Sequence, residues 1–273
     1  MPFTLFSATG CMRCEIVKSY MTDHAMVYDE HNIKTKGKDA FNLFYRKNRP
    51  DIFRGKDGME FPILFTGEKI IQGVGEILAF LKAGDRLNTF IKRSDLSHGW
   101  INGLTVPANN ACMDDDFLEI LRYLKDHGLL IQLATDGRNA HLLETIIKEN
   151  LIHRLIFYLR GPAELYKFLT GATLDKEELR HSLSLVEKSP EYHIILSIAC
   201  LERSNGEPGY ITPEEAARAA ALVEHATGNK KHPFFIKGVI PPPEWDIAPL
   251  PSAAFFKYRT ACRPHMVLAE ILK

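Results

Sequence analysis

With 273 residues, 45% of them hydrophobic, the chain has ample material for a core and is expected to form about two domains. Lys plus Arg equals Asp plus Glu at 34 each, which gives bulk electrostatics no hold on nucleic acid or an anionic membrane. No apolar run reaches the ~18 residues of a membrane span and the amino terminus carries no basic leader, while five cysteines, scattered apart from one close pair, fit a reducing cytoplasm.

The chain begins with Phe3-Thr-Leu-Phe6, an apolar β-prone run, then a small-residue turn, then Cys11-Met-Arg-Cys14. Ile16, Val17, Tyr20 and Met21 follow at helical spacing. The two cysteines therefore belong at a strand-to-helix junction. There, unpaired backbone N–H groups and the positive end of the helix favour a thiolate at Cys11, and Arg13 adds a second cationic influence. Two intervening residues let Cys14 reach Cys11 within one turn, so a mixed disulfide captured by Cys11 can be resolved internally. A half-site for zinc is the first alternative, but it needs two further ligands at short spacing. Cys112, Cys200 and Cys262 are solitary and distant, and His24 and His31 outline no knuckle. An inert pair is the other alternative. The strand-turn-helix context favours thiol-disulfide exchange, with no metal.

Glu60-Phe-Pro-Ile-Leu-Phe65 reads as a short strand opened by Pro62, Thr66-Gly-Glu68 as a hairpin turn, and Lys69-Ile-Ile71 as the return strand. Proline is tolerated in a strand only at its start or on an edge, and the bond preceding Pro62 is a candidate cis peptide. Gln72-Gly-Val-Gly-Glu76 then turns into a helix over Ile77 to Leu81. On Cys11-Met-Arg-Cys14, Phe61-Pro62 and Gly73-Val-Gly-Glu76, the segment 1–83 resembles the glutaredoxin family of the thioredoxin fold. The resemblance implies that Cys11 is the nucleophile and Cys14 the resolving thiol. It also implies that Phe61, Pro62 and Gly73, with Arg13 beside the motif, line the substrate site. It implies a protein or small-molecule disulfide as partner, with glutathione one candidate co-substrate. The chain departs from the family in lacking a proline after Cys11, in carrying Ser7-Ala-Thr9 where glutathione users often have a lysine, and in an enlargement from Arg46 to Met59.

Residues 84–98 are polar with little periodicity and read as a linker. From Trp100 onward, strand candidates at Ile101–Val106, Leu129–Ala134, Leu155–Leu159, His193–Ala199 and Phe234–Val239 alternate with helical ones. The helical candidates are Asp114–His127, Ala140–Glu149, Ala163–Leu169, Lys176–Lys188 and Pro213–Ala226. Start signals such as Thr212-Pro-Glu-Glu215 support them. Apolar strands alternating with helices predict a parallel sheet, with any site at the carboxyl ends of its strands. Residues there are Asn109, Asn110, Thr135-Asp-Gly-Arg138, Arg160, Cys200 to Arg203 and Lys237.

Trp100-Ile-Asn-Gly-Leu-Thr-Val106, Phe117 to Gly128, Ala134-Thr-Asp-Gly-Arg138 and Leu155-Ile-Phe-Tyr-Leu159 with Gly161 to Tyr166 carry a second resemblance, over about residues 99–240. It is to the radical S-adenosylmethionine family, similar to activating enzymes of pyruvate formate-lyase and anaerobic ribonucleotide reductase. The Cys-x-x-x-Cys-x-x-Cys motif of that family is missing, and Pro107-Ala-Asn-Asn110 stands where its Gly-Gly-Glu-Pro segment belongs. An iron–sulfur cluster and S-adenosylmethionine are therefore not expected. With the first strand-helix unit absent, strand 101–106 is expected to have its edge covered by the first domain, the linker or the tail.

The tail follows a break at Pro241-Pro-Pro243, and Ala253–Lys273 reads as one amphipathic helix with Phe255, Phe256 and Tyr258 as packing residues. The expected architecture is α/β: a thioredoxin/glutaredoxin-like domain (1–83), a linker (84–98), a partial (β/α) barrel of about five parallel strand-helix units (99–240) and a helical tail (241–273). The expected function is a cytoplasmic thiol-disulfide oxidoreductase whose second domain selects a substrate or partner. The alternative is a redox-sensitive binding scaffold without turnover.

Overall fold

A computed structural model describes residues 3–55, 58–92, 96–97, 99–107, 111–171, 173–203 and 206–272. Its contacts group into two compact units, Met1–Leu104 with Ala111–Leu130, and Thr105–Asn110 with Ile131–Lys273.

In the first unit, β1 (Phe3–Ser7) leads through α1 (Met12–Asp23) to β2 (Tyr28–Asn32), which lies parallel to it. Next come α2 (Lys38–Asn48) and a two-stranded hairpin of β3 (Arg54–Gly55) and β4 (Gly58–Met59). β5 (Ile63–Phe65) then runs antiparallel to β1, and β6 (Ile70–Gln72) antiparallel to β5, before α3 (Val74–Ala83). The sheet order is β2-β1-β5-β6. Period-two alternation divides its core. Leu5 and Leu64 face Val17, Met21 and Ile77 on one side, whereas Phe6 and Ile63 face Phe41 and Ile52 on the other. β2 escapes detection in the sequence because Tyr-Asp-Glu-His-Asn is polar, as suits a strand at the edge of a sheet.

β7 (Leu96–Ser97), β8 (Trp100–Thr105) and α4 (Ala111–Asp126) complete this unit. The compact units thus divide the chain elsewhere than at residues 83 and 98. The physical reason lies in α4: Tyr123 donates from its hydroxyl to Ile16 O at 3.2 Å, Asp116 pairs with Arg86 at 2.7 Å, and Glu119 pairs with Lys82. The expected linker is built into the unit. Leu87 and Ile91 are buried, Ile91 bridges Leu104, Lys92 N donates to Gly103 O, and β7 pairs antiparallel with β8. Of the three candidates for covering the β8 edge, the connection does so.

In the second unit β9 (Leu130–Thr135), α5 (Ala140–Lys148), β10 (Arg154–Leu159), α6 (Tyr166–Thr170), α7 (Lys176–Ser184) and β11 (Glu191–Ile198) follow the expected alternation. A hairpin of β12 (Cys200–Glu202) and β13 (Pro208–Tyr210) intervenes before α8 (Pro213–Thr227) and β14 (Phe234–Gly238). The order β9-β10-β11-β14 is parallel throughout. Thr212 caps α8 in a reciprocal capping box with Glu215. Two helical expectations shorten: Ala163–Leu165 is a 3₁₀ turn leading into α6, and α7 stops at Ser184 before a 3₁₀ turn at Val186–Lys188.

The tail differs most. α9 (Phe255–Cys262) ends just before Pro264, which cannot continue it, and β15 (Ala269–Ile271) joins the sheet parallel to β14. One helix was expected where a helix and a strand stand. Among the described residues no helix is long and apolar enough to cross a membrane.

Candidate functional site

At one end of the first unit's sheet, β1 stops at Ser7 and the chain turns through Gly10, whose φ of +74° suits glycine. Cys11 N donates back to Ala8 O at 3.2 Å. Cys11 is the N-cap of α1, in extended conformation, and its Sγ accepts from Cys14 N at 3.2 Å. A sulfur thus occupies the position where side-chain oxygens usually satisfy a helix's free N–H groups. Cys11 and Cys14 are joined as a disulfide, with Cα atoms 5.3 Å apart. Their environments differ: Cys14 is fully buried, whereas Cys11 is partly open to solvent.

Strand register brings the other predicted residues to the same end. Ile63 pairs with Phe6 on one side and Gln72 on the other, so Phe61-Pro62 enters the sheet level with the exit of β1 and with Gly73. The Phe61–Pro62 bond is cis, and Phe61 O lies 3.9 Å from Cys11 Sγ. Gly73 caps α3 with φ +109° and ψ 150°, a region essentially reserved for glycine. A Cβ there would also crowd the Glu76 carboxylate, the movable end of a flexible side chain. Cys11, Cys14, Phe61, Pro62 and Gly73 therefore share one end of the sheet, where two helices also begin. Arg13 sits in the first turn of α1, half-buried, two residues from Cys11.

Gln72 is a positioning side chain that the sequence reading did not single out. Its Oε1 accepts from Phe53 N at 2.9 Å, and its Nε2 donates to Phe53 O at 3.0 Å and Glu60 O at 2.8 Å. One amide thereby pins both ends of the β3–β4 hairpin beside Phe61. This hairpin is the last part of the enlargement from Arg46 to Met59, which begins with the end of α2 and a 3₁₀ turn at Arg49–Asp51; residues 56 and 57 lie outside those described. No periodicity marks such a residue, because its partners are backbone groups set by tertiary contact.

The strand ends of the second unit use their polar groups internally. Thr135 Oγ1 accepts from Gly137 N at 3.1 Å, and Asp136 holds Arg138 through Nε and Nη2, keeping that guanidinium's pKa raised. Asn139 caps α5. Arg160 lies with its guanidinium carbon 5.4 Å from the Tyr158 ring centroid. Arg203 grips Glu215 at 2.6 and 2.9 Å and also donates to Tyr210 O. Burial is the largest single influence on the Glu215 carboxyl and pushes it upward, but the Arg203 hydrogen bonds, the Thr212 N–H and the charges of Arg203 and Arg218 together bring the net shift down. Lys237 is exposed on β14, and Asn109 and Asn110 lie outside the described residues. Of the remaining cysteines, Cys112 is exposed and Cys200 and Cys262 are buried. Burial pushes the Cys262 thiol up to about 12.

The chain is thus a mixed α/β protein with a close cysteine pair at the end of one sheet and a parallel sheet in its second unit. No family model matches it, and no curated protein does.

Proposed function

We propose that this protein is a glutaredoxin-like thiol-disulfide oxidoreductase acting in a reducing compartment, with Cys11 as nucleophile and Cys14 as resolving thiol. One observation carries the reading: the more open of two close sulfurs caps a helix and accepts the Cys14 N–H, beside the Phe61 carbonyl, while its partner is buried. In the reduced form, that N–H and the helix end favour a thiolate at Cys11. The thiolate attacks one sulfur of a substrate disulfide, the other sulfur leaves as a thiolate and takes a proton, and a mixed disulfide remains on Cys11. Cys14, losing its proton, attacks Cys11 Sγ and releases the second substrate thiol. The substrate has gained two electrons and two protons, and the protein holds the Cys11–Cys14 disulfide. A second dithiol, or two equivalents of a small thiol of the glutathione class, returns it to the start.

Phe61, Pro62, Gly73 and Arg13 serve as the substrate-binding rim. Backbone groups of an extended substrate can align with the strand start at Pro62, since the Phe61 carbonyl already faces the sulfur. The second unit, a strand-helix shell of the radical S-adenosylmethionine type without a cluster motif, selects the protein or small molecule that carries the disulfide.

Reduced protein mixed with a chromogenic aromatic disulfide tests this. Cys11→Ser should lower thiol release to background, and Cys14→Ser should accumulate a one-to-one mixed disulfide visible by intact mass. Parental rates in both variants would overturn the proposal.

A further inference from the structure

At the carboxyl ends of β14 and β15 lies a cavity of about 870 Å³, wholly within the second unit. Its walls are mainly apolar: Val239, Ile240, Phe255, Phe256 and Leu272 line it. The local sequence explains the shape. Gly238 closes β14 without a side chain, and a Cβ there would meet Phe255 Cζ at 2.5 Å, so the ring lies directly against the strand end. Ile240 and Phe256 are 80% and 53% exposed, leaving the mouth open to solvent.

Into this apolar space the fold brings two guanidinium groups, Arg259 on α9 and Arg263 just after it, and one carboxylate, Glu270 on β15. Arg259 stacks with its guanidinium carbon 5.0 Å from the Phe256 ring centroid. Stacking occupies the face of the group but not its in-plane donors, and Arg259 Nε is buried with no hydrogen-bond partner among the described residues. A buried cationic donor without an acceptor is costly, and the guanidinium that carries it lines the cavity, where an anion from outside the chain would offset that cost. Apolar walls with a few convergent polar groups are the usual composition of a small-molecule site, and the carboxyl edge of a parallel sheet is its usual place.

We propose that this cavity binds an amphipathic monoanion, an apolar chain or ring bearing one carboxylate or singly charged phosphoryl group. The guanidinium fork of Arg259 takes the anionic head, and the tail lies between Phe255, Ile240 and Leu272. The single net positive charge of the two arginines and Glu270 favours one negative charge over two. This site is independent of the cysteine chemistry.

Titration calorimetry on the full chain with octanoate and with 1-octanol tests the assignment. Octanoate should bind once per chain, about tenfold more tightly than octanol, the difference being one charge-assisted contact. Arg259→Gln should bring octanoate down to the level of octanol while leaving octanol unchanged. Because that side chain is partly buried, a second variant guards against simple misfolding: Ile240→Asp, on a strongly exposed position, should weaken octanoate more than octanol, with an unchanged thermal melt. The proposal is overturned by the absence of saturable octanoate binding at millimolar concentration, or by octanol binding as tightly as octanoate. Full octanoate affinity in Arg259→Gln overturns it too. Methyl octyl phosphate, a diester that carries one negative charge at pH 7, run alongside, distinguishes a carboxylate head from a phosphoryl one.

Discussion

Where β1 ends in the first unit, the loop delivers a partly open sulfur to a helix start and leaves the Phe61 carbonyl facing it. Where β9 and β11 end in the second unit, the loops return their polar groups to the protein: Asp136 to Arg138, and Arg203 after β12 to Glu215 and Tyr210 O. The ends of β1 and β9 are strand-to-helix junctions and Arg203 lies in the turn of the β12–β13 hairpin, yet sequence composition treats them alike. The difference lies in whether a side chain finds its complement inside the fold. A group whose partner is internal serves as a cap, whereas a group satisfied only by a neighbouring N–H retains chemistry for a visitor.

Mutagenesis can break that comparison. The largest effect is expected at Cys11, where replacement by serine should lower disulfide reduction by at least ~10²-fold, since a hydroxyl at neutral pH replaces the attacking thiolate. Arg203→Ala should destabilise the protein by about 2 kcal/mol, as loss of a charge-assisted hydrogen-bond set leaves the partly buried Glu215 carboxylate with the Thr212 N–H but without its cation, while disulfide reduction at 25 °C stays at the parental rate. A fall in rate without a fall in thermal stability would contradict the division drawn above. Gly73→Ala should cost about 1–3 kcal/mol from backbone strain alone, and should raise KM for the disulfide more than it lowers kcat if this glycine lines the rim.

Smaller effects sharpen the contrast. His232 is fully buried between the Tyr192 hydroxyl at 2.9 Å and Thr227 Oγ1 at 2.8 Å, and burial lowers its pKa below the ordinary 6.5, with Glu187 opposing. The unfolded chain therefore binds a proton there at a higher pH than the folded one. Stability should be at its full value above pH 6.5 and decline as pH falls through that value toward the lower folded-state value. His232→Gln should flatten this part of the stability curve in urea unfolding. Native-state alkylation followed by mass mapping should label exposed Cys112 early and leave Cys262 unlabelled, because its thiol is buried and its pKa is about 12. Labelling of Cys262 at the rate of Cys112 would remove the case for an inert structural thiol.

The site in the first unit was largely legible in the sequence. Two cysteines at one-turn spacing after an apolar run, a proline opening a strand and a glycine before a helix are local signals, each tied to backbone geometry that only certain residues satisfy. Gln72 was not legible, since its role consists of hydrogen bonds to backbone at positions 53 and 60. Nor was the cavity at β14 and β15. Its walls come from segments read as a proline-rich break and a single helix, and Pro264 only shows where the helix stops.

By itself the sequence determined the periodicities: which stretches could be strand or helix, where glycine and proline punctuate them, and that Cys11 and Cys14 must lie within a turn of one another. Tertiary structure alone decided which polar groups find partners, that Leu87 and Ile91 are buried within an apparently polar connection, and that residues 269–271 pair with β14. Local propensity acts over a few residues of chain, whereas pairing, burial and an orphaned donor such as Arg259 Nε depend on contacts between residues far apart along it.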